Sequence, residues 1–155
     1  MAMTMTGQVM LPADRATVWA ALNDPEILKR SIPGCQELAK TSDTEFTATA
    51  KVAVGPVKAT FKGKVNLSDI DAPNGYTISG EGQGGVAGFA KGGAKVRLDD
   101  ADGGTRLVYD VEAQVGGKIA QLGGRLINGV AKKYADEFFT NFAKALQPEA
   151  APPTA

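Results

Sequence analysis

Residues 119–146, IAQLGGRLINGVAKKYADEFFTNFAKAL, decide the fold. Ile119, Leu122, Leu126, Val130, Tyr134, Phe138, Phe142 and Leu146 recur at steps of three and four, which draws one apolar stripe along a helix. At 1.5 Å per residue such a helix runs roughly 40 Å, enough to cross a whole sheet. A stripe of that length needs a broad apolar surface to bury it, and the preceding eighty residues supply one.

Those residues alternate with period two, the pattern of strands with one buried face. Between Thr44 and Val54, Phe46, Ala48, Ala50, Val52 and Val54 share a face. Gly55-Pro56 turns the chain, and Val57, Ala59, Phe61, Gly63, Val65 and Leu67 continue that face opposite Lys58, Thr60, Lys62, Lys64 and Asn66. Further strands carry Tyr76, Ile78, Gly80 and Gly82, then Ala94, Val96 and Leu98, then Leu107, Tyr109, Val111, Ala113 and Val115. Before them, Thr4–Leu11 alternates as a first strand. Asp14 caps a helix to about Leu22, and Asp24-Pro25 opens a second over Glu26–Ile32 that Pro33-Gly34 ends. The order predicts an α+β fold: a curved antiparallel sheet of about seven strands, two short helices after the first, and one long C-terminal helix over a cavity. One domain over residues 1–147 is expected, with 148–155 a disordered Pro/Ala tail.

Composition narrows the chemistry. The 155 residues include 17 Lys plus Arg and 17 Asp plus Glu, so the formal charge is zero and a general nucleic-acid binder is not expected. There is no histidine and one cysteine, Cys35, which excludes zinc sites of the His and Cys types and every His-based triad. Cys35 reads as a small packed side chain and Asp99, Asp100 and Asp102 as a turn; no metal site is expected. No apolar run is long enough to span a bilayer and no signal sequence is visible, which predicts a cytoplasmic protein.

Small residues recur on the inward faces, which leaves two readings: a cavity, or close packing around Phe46, Phe61, Tyr76 and Tyr109. The cavity is the favoured one. Its expected lining is Phe46, Ala48, Ala50, Ala59, Phe61, Tyr76, Ile78, Phe89, Val96, Tyr109 and Val111 from the sheet, with Leu122, Gly123, Leu126 and Val130 from the helix. Gly123, Gly124 and Gly129 are read as helix-interior glycines that thin the helix beside it. Strand parity points Glu45, Glu81, Asp110 and Glu112 outward, so the inward polar groups are tyrosine hydroxyls, and paired-carboxylate catalysis has no evident place. Residues 80–85 match G-x-G-x-x-G, but between antiparallel strands, where no dinucleotide site forms. The stretch 80–93 holds seven glycines and reads as a flexible flap, with Gly84, Gly85, Val86, Gly88 and Phe89 as a gate, or as an ordinary loop. The acid-free run with Lys51, Lys58, Lys62 and Lys64 reads as a solvated sheet face, or as a dock for an anionic surface.

Val18-Trp19, Leu22, Asp24-Pro25-Glu26, Leu28 and Ile32-Pro33-Gly34-Cys35 resemble the opening of the carbon monoxide dehydrogenase CoxG family. Gly104-Thr105, Leu107, Tyr109 and the run Val115-Gly116-Gly117-Lys118-Ile119-Ala120-Gln121-Leu122-Gly123 are similar to its second signature, and Phe138-Phe139 with Phe142 to its helical end. The resemblance covers about residues 3–146. It implies a START-like, helix-grip (SRPBCC) fold and a non-enzymatic accessory protein of a carbon monoxide dehydrogenase-type molybdenum hydroxylase. Such a protein would hold a quinone or other lipid, recruit the enzyme to the inner face of the membrane by peripheral contact, or both. No intrinsic cofactor is expected. The alternatives are a START-like cyclase or hydrolase acting on a hydrophobic small molecule, and an assembly factor with a filled core.

Overall fold

The computed structural model describes residues 2–146, so the tail expected at 148–155 lies outside the described residues. Strand β1 (Ala2–Leu11) leads into helices α1 (Arg15–Leu22) and α2 (Pro25–Ser31). Six strands follow: β2 (Cys35–Ser42), β3 (Glu45–Val54), β4 (Val57–Asp71), β5 (Gly75–Gln83), β6 (Phe89–Ala101) and β7 (Gly104–Gly116). Helix α3 (Gly124–Leu146) closes the fold. All seven strands form one antiparallel sheet in the order β1-β7-β6-β5-β4-β3-β2, so the first strand closes against the last and the rest is a meander.

Local chemistry explains the boundaries. The Asp14 carboxylate accepts from the Thr17 amide at 2.8 Å and caps α1, and Asp24 accepts from the Glu26 amide at 2.9 Å and caps α2, with Pro25 in its first turn. Hydrogen bonding to Thr17 holds the Asp14 carboxyl below the ordinary carboxylate range. Thr105, fully buried at the start of β7, donates from Oγ1 to the Ala13 carbonyl at 2.7 Å and pins the entry to α1. The expected continuous helix over 119–146 is interrupted. Lys118–Leu122 form a 3₁₀ turn, and Gly123 sits at φ +95°, a left-handed conformation that an α-helix cannot contain. Helix α3 therefore starts at Gly124 and spans 23 residues, about 35 Å. Only Gly129 of the three glycines is interior to it.

The apolar interior divides in two. Under α1, α2 and the second half of α3 lies a cluster around Leu11, Val18, Leu98, Leu107 and Phe142, the last fully buried and with its ring centroid 5.5 Å from that of Phe138. Under the first half of α3 lies a second cluster of Val54, Ala87, Val115, Ile119 and Ile127. Between the two halves, the Tyr134 hydroxyl accepts from the Ala53 amide at 3.0 Å and donates to the Ala53 carbonyl at 3.4 Å, tying the middle of α3 to β3.

Candidate functional site

A cavity of about 320 Å³ lies between the sheet and the second half of α3. Seven of the residues read from the sequence line it: Phe46, Ala48, Tyr76, Ile78, Val96, Tyr109 and Val111. They come from β3, β5, β6 and β7, and Met5, Val65, Leu67, Ala94 and Leu107 complete the sheet side. Leu22, Leu28, Ile32 and Leu38 close the end near α1 and α2, and Ala135, Phe138 and Phe139 form the α3 wall. Sequence reasoning missed this second group. The available signal was the pair of bulky aromatics Phe138-Phe139 beside two short helices, which can reach the sheet only at that end.

Eight expected residues lie elsewhere, because they belong to the other half of the molecule. Ala59, Phe61, Leu122 and Val130 pack against the second cluster. The Phe61 ring occupies the place of a side chain on Gly84, 2.6 Å from where a Cβ would stand. Ala50 pairs with Phe61, toward the β3–β4 turn. Gly123 faces open space, Leu126 leans half-exposed on Gly55, and Phe89 is exposed beside Gly116. The expected gate also needs correction. Its glycines Gly80, Gly82, Gly92 and Gly93 are paired residues of β5 and β6, and a Cβ on Gly92 would meet the Glu112 carbonyl at 2.1 Å, so that glycine serves close strand approach. The loop proper is Gly84–Gly88, closed by a Gly84 amide to Gly88 carbonyl bond of 2.8 Å, with Gly85–Ala87 in a 3₁₀ turn. Gly84, Gly85, Val86, Gly88 and Phe89 do not line the cavity, because this loop sits at the opposite end of the sheet.

The lining holds no carboxylate, amine or guanidinium. Lys64 reaches Glu45 at 3.7 Å, and Glu81, Asp110 and Glu112 border a wide, polar hollow on the outer face of the sheet. Polar chemistry in the cavity comes from two phenols. Tyr109 stacks on Phe139 with centroids 5.4 Å apart, and its hydroxyl lies over Gly7 on β1, where any side chain would collide. Tyr76 is 6% exposed, its ring 5.1 Å from Trp19, and its hydroxyl has no hydrogen-bond partner among the described residues. Burial pushes the Tyr76 phenol well above its ordinary range, so it is a neutral donor. The third phenol, Tyr134, is spent on Ala53. Cys35 donates to the Glu37 carbonyl at 3.3 Å and burial raises its thiol pKa, the reverse of an activated nucleophile. Asp100 pairs with Arg15 at 3.0 Å, and no group of three metal-ligating side chains occurs among the described residues.

The match that decides the family spans almost the whole fold: residues 7–147 fit the model for CoxG of carbon monoxide dehydrogenase. The chain belongs to that family. CoxG takes its name from carbon monoxide dehydrogenase, which associates the chain with that enzyme and gives it the place of an accessory subunit. Among solved structures, a conserved protein from Geobacillus kaustophilus is 28% identical with a TM-score of 0.85, covering 93% of this chain and 95% of its own. Ara h 8.0201 is 21% identical with a TM-score of 0.64, over 94% and 98% of the two chains. The Zhui aromatase/cyclase from Streptomyces sp. R1128 is 12% identical with a TM-score of 0.67, over 98% and 100%. These likenesses show the helix-grip fold. No curated protein sequence matches the chain. No helix among the described residues is long and apolar enough to cross a membrane.

Proposed function

We propose that this CoxG chain carries a lipophilic small molecule with a carbonyl head group, a quinone in the simplest case, between a membrane and a carbon monoxide dehydrogenase-type molybdenum hydroxylase. The observation that carries this reading is the lining: about 320 Å³ walled by apolar side chains, with one buried, unpartnered hydroxyl, that of Tyr76, as its polar feature. At about 25 cal/mol per Å² of apolar surface buried, each 100 Å² of ligand contributes about 2.5 kcal/mol, so shape and apolarity supply most of the affinity. The Tyr76 hydroxyl donates to the carbonyl and orients the ring. The volume is at the small end of ligand sites, roughly 300–1,000 Å³. It suits a ring system and the start of a side chain, and a long isoprenoid tail would extend outside.

The chain's one tryptophan, Trp19, packs on Tyr76 and serves as the reporter. Titration with menadione and with a short-chain ubiquinone is expected to quench its fluorescence saturably, and native mass spectrometry is expected to show a one-to-one adduct. Linear, non-saturating quenching together with an adduct-free spectrum refutes the carrier reading.

A further inference from the structure

The net charge of zero conceals a separation of charge along the sheet. The turns at one end carry seven aspartates: Asp14 after β1, Asp43 between β2 and β3, Asp69 and Asp71 leading out of β4, and Asp99, Asp100 and Asp102 around the β6–β7 turn. The other end gathers the β3–β4 turn at Gly55-Pro56, the β5–β6 loop Gly84–Gly88, the 3₁₀ turn Lys118–Leu122 and the first turn of α3. Residues 46–68, 82–98 and 113–135, which supply all of these, contain no Asp or Glu. The cations at this end are Lys51, Lys58, Lys62, Lys118 and Arg125. All five are solvent-exposed, and none has an ion-pair partner among the described residues. The same end exposes apolar side chains: Val86 at the loop apex is 91% exposed, and Phe89 and Leu126 are each 37% exposed. The loops beneath them are braced. Leu126 leans on Gly55, and Gly88 packs against Gly116 and Gly117, so the apolar tips stand on a fixed base.

We propose that this end of the domain docks on an anionic lipid surface, with Val86 entering the interface and Lys51, Lys58, Lys62, Lys118 and Arg125 meeting the headgroups. An acidic protein would be met by charge alone and would leave the raised apolar apex without a role. An apolar side chain on a hairpin apex, ringed by unpaired cations and built from segments free of carboxylates, matches the layered chemistry of a bilayer interface, apolar inside and anionic outside. Separation also matters at a distance, because repulsion at the aspartate end and attraction at the cationic end turn the molecule before contact. Docking there rests on the carrier reading and names the surface that meets the lipid, and empty protein on quinone-free vesicles tests it apart from ligand uptake.

The experiment is sedimentation of the full chain with vesicles of phosphatidylglycerol and phosphatidylcholine, against phosphatidylcholine alone. Binding is expected to the anionic vesicles and to fade as salt shortens the screening length below about 8 Å. Each cation near such a surface is worth about fivefold in partitioning, so the triple variant Lys58→Gln, Lys118→Gln, Arg125→Gln should bind about a hundredfold more weakly. Val86→Asp should also lose binding, with an unchanged circular dichroism spectrum because its side chain touches little of the fold, and Asp99→Asn should behave as the parent. Equal binding to neutral vesicles, no binding to either, or binding that neither set of variants reduces overturns the proposal. A cationic end that serves an acidic protein instead would give the no-binding result.

Discussion

Tyr76→Phe should make the empty protein more stable and the loaded protein less so. The substitution deletes one oxygen, on a residue only 6% exposed, that has no hydrogen-bond partner among the described residues. A buried, unsatisfied hydroxyl costs about 1–3 kcal/mol. Removing it without disturbing the ring against Trp19 should recover about 1 kcal/mol, and for a chain of this length that raises the melting temperature by roughly 2–4 °C. The same oxygen is the assigned donor to the ligand carbonyl, and a neutral hydrogen bond of about 1 kcal/mol corresponds to about a fivefold loss of affinity. Thermal unfolding followed by circular dichroism measures the first effect, and quinone titration of Trp19 fluorescence measures the second. The opposed signs are the test. A fall in melting temperature would mean that the hydroxyl is engaged within the protein, and unchanged quinone affinity would mean that the ligand does not use it; either outcome refutes the reasoning.

Three further outcomes are expected. In the unfolded chain the Tyr76 phenol ionises near pH 10, whereas burial keeps it protonated in the fold. Above about pH 10 the folded state therefore holds more protons, and stability from this group, complete below that pH, drains away as pH rises; urea midpoints between about pH 9 and 11 should show a shallower loss in Tyr76→Phe. Ala94→Phe, between Ile78 and Val111 on the cavity wall, should abolish saturable quenching with little change in melting temperature, as a ring placed in existing space adds contacts rather than strain. Thr105→Val strands the Ala13 carbonyl inside the fold and should cost about 1–3 kcal/mol, seen as a lower urea midpoint with ligand affinity unchanged.

The sheet was legible in the sequence because period two is hard to produce any other way, and Gly55-Pro56 and Asp102-Gly103 mark turns as plainly as residues can. The break at Gly123 was not, because Leu122 and Leu126 keep helical spacing across it while the backbone between them does not. Strand parity separated the two faces of the sheet but gave no residue's distance along its strand. Phe61 and Tyr76 both face inward. One packs beneath Gly84 at the filled end, and the other stands in the cavity wall near Trp19. That lengthwise coordinate is set by where α1, α2 and the Phe138-Phe139 pair come to rest, a three-dimensional outcome that no single strand encodes. The glycine excess was likewise misleading as a sign of looseness, since Gly92 and Gly93 let neighbouring strands approach closely.

The division of the interior gives α3 two unequal tenancies. Its first half rests on a filled cluster around Ile127, its middle is fastened through Tyr134, and its second half roofs unfilled space. Atoms beside a void lack contacts on that side and resist displacement less. Breathing motions of the domain should therefore concentrate beyond Tyr134, and amides of residues 135–146 should exchange with solvent sooner than those of 124–134. A guest could then be taken in and let go by the slack portion of one helix while the other portion keeps the sheet closed, so that opening for cargo and staying folded are demands placed on different turns of the same element.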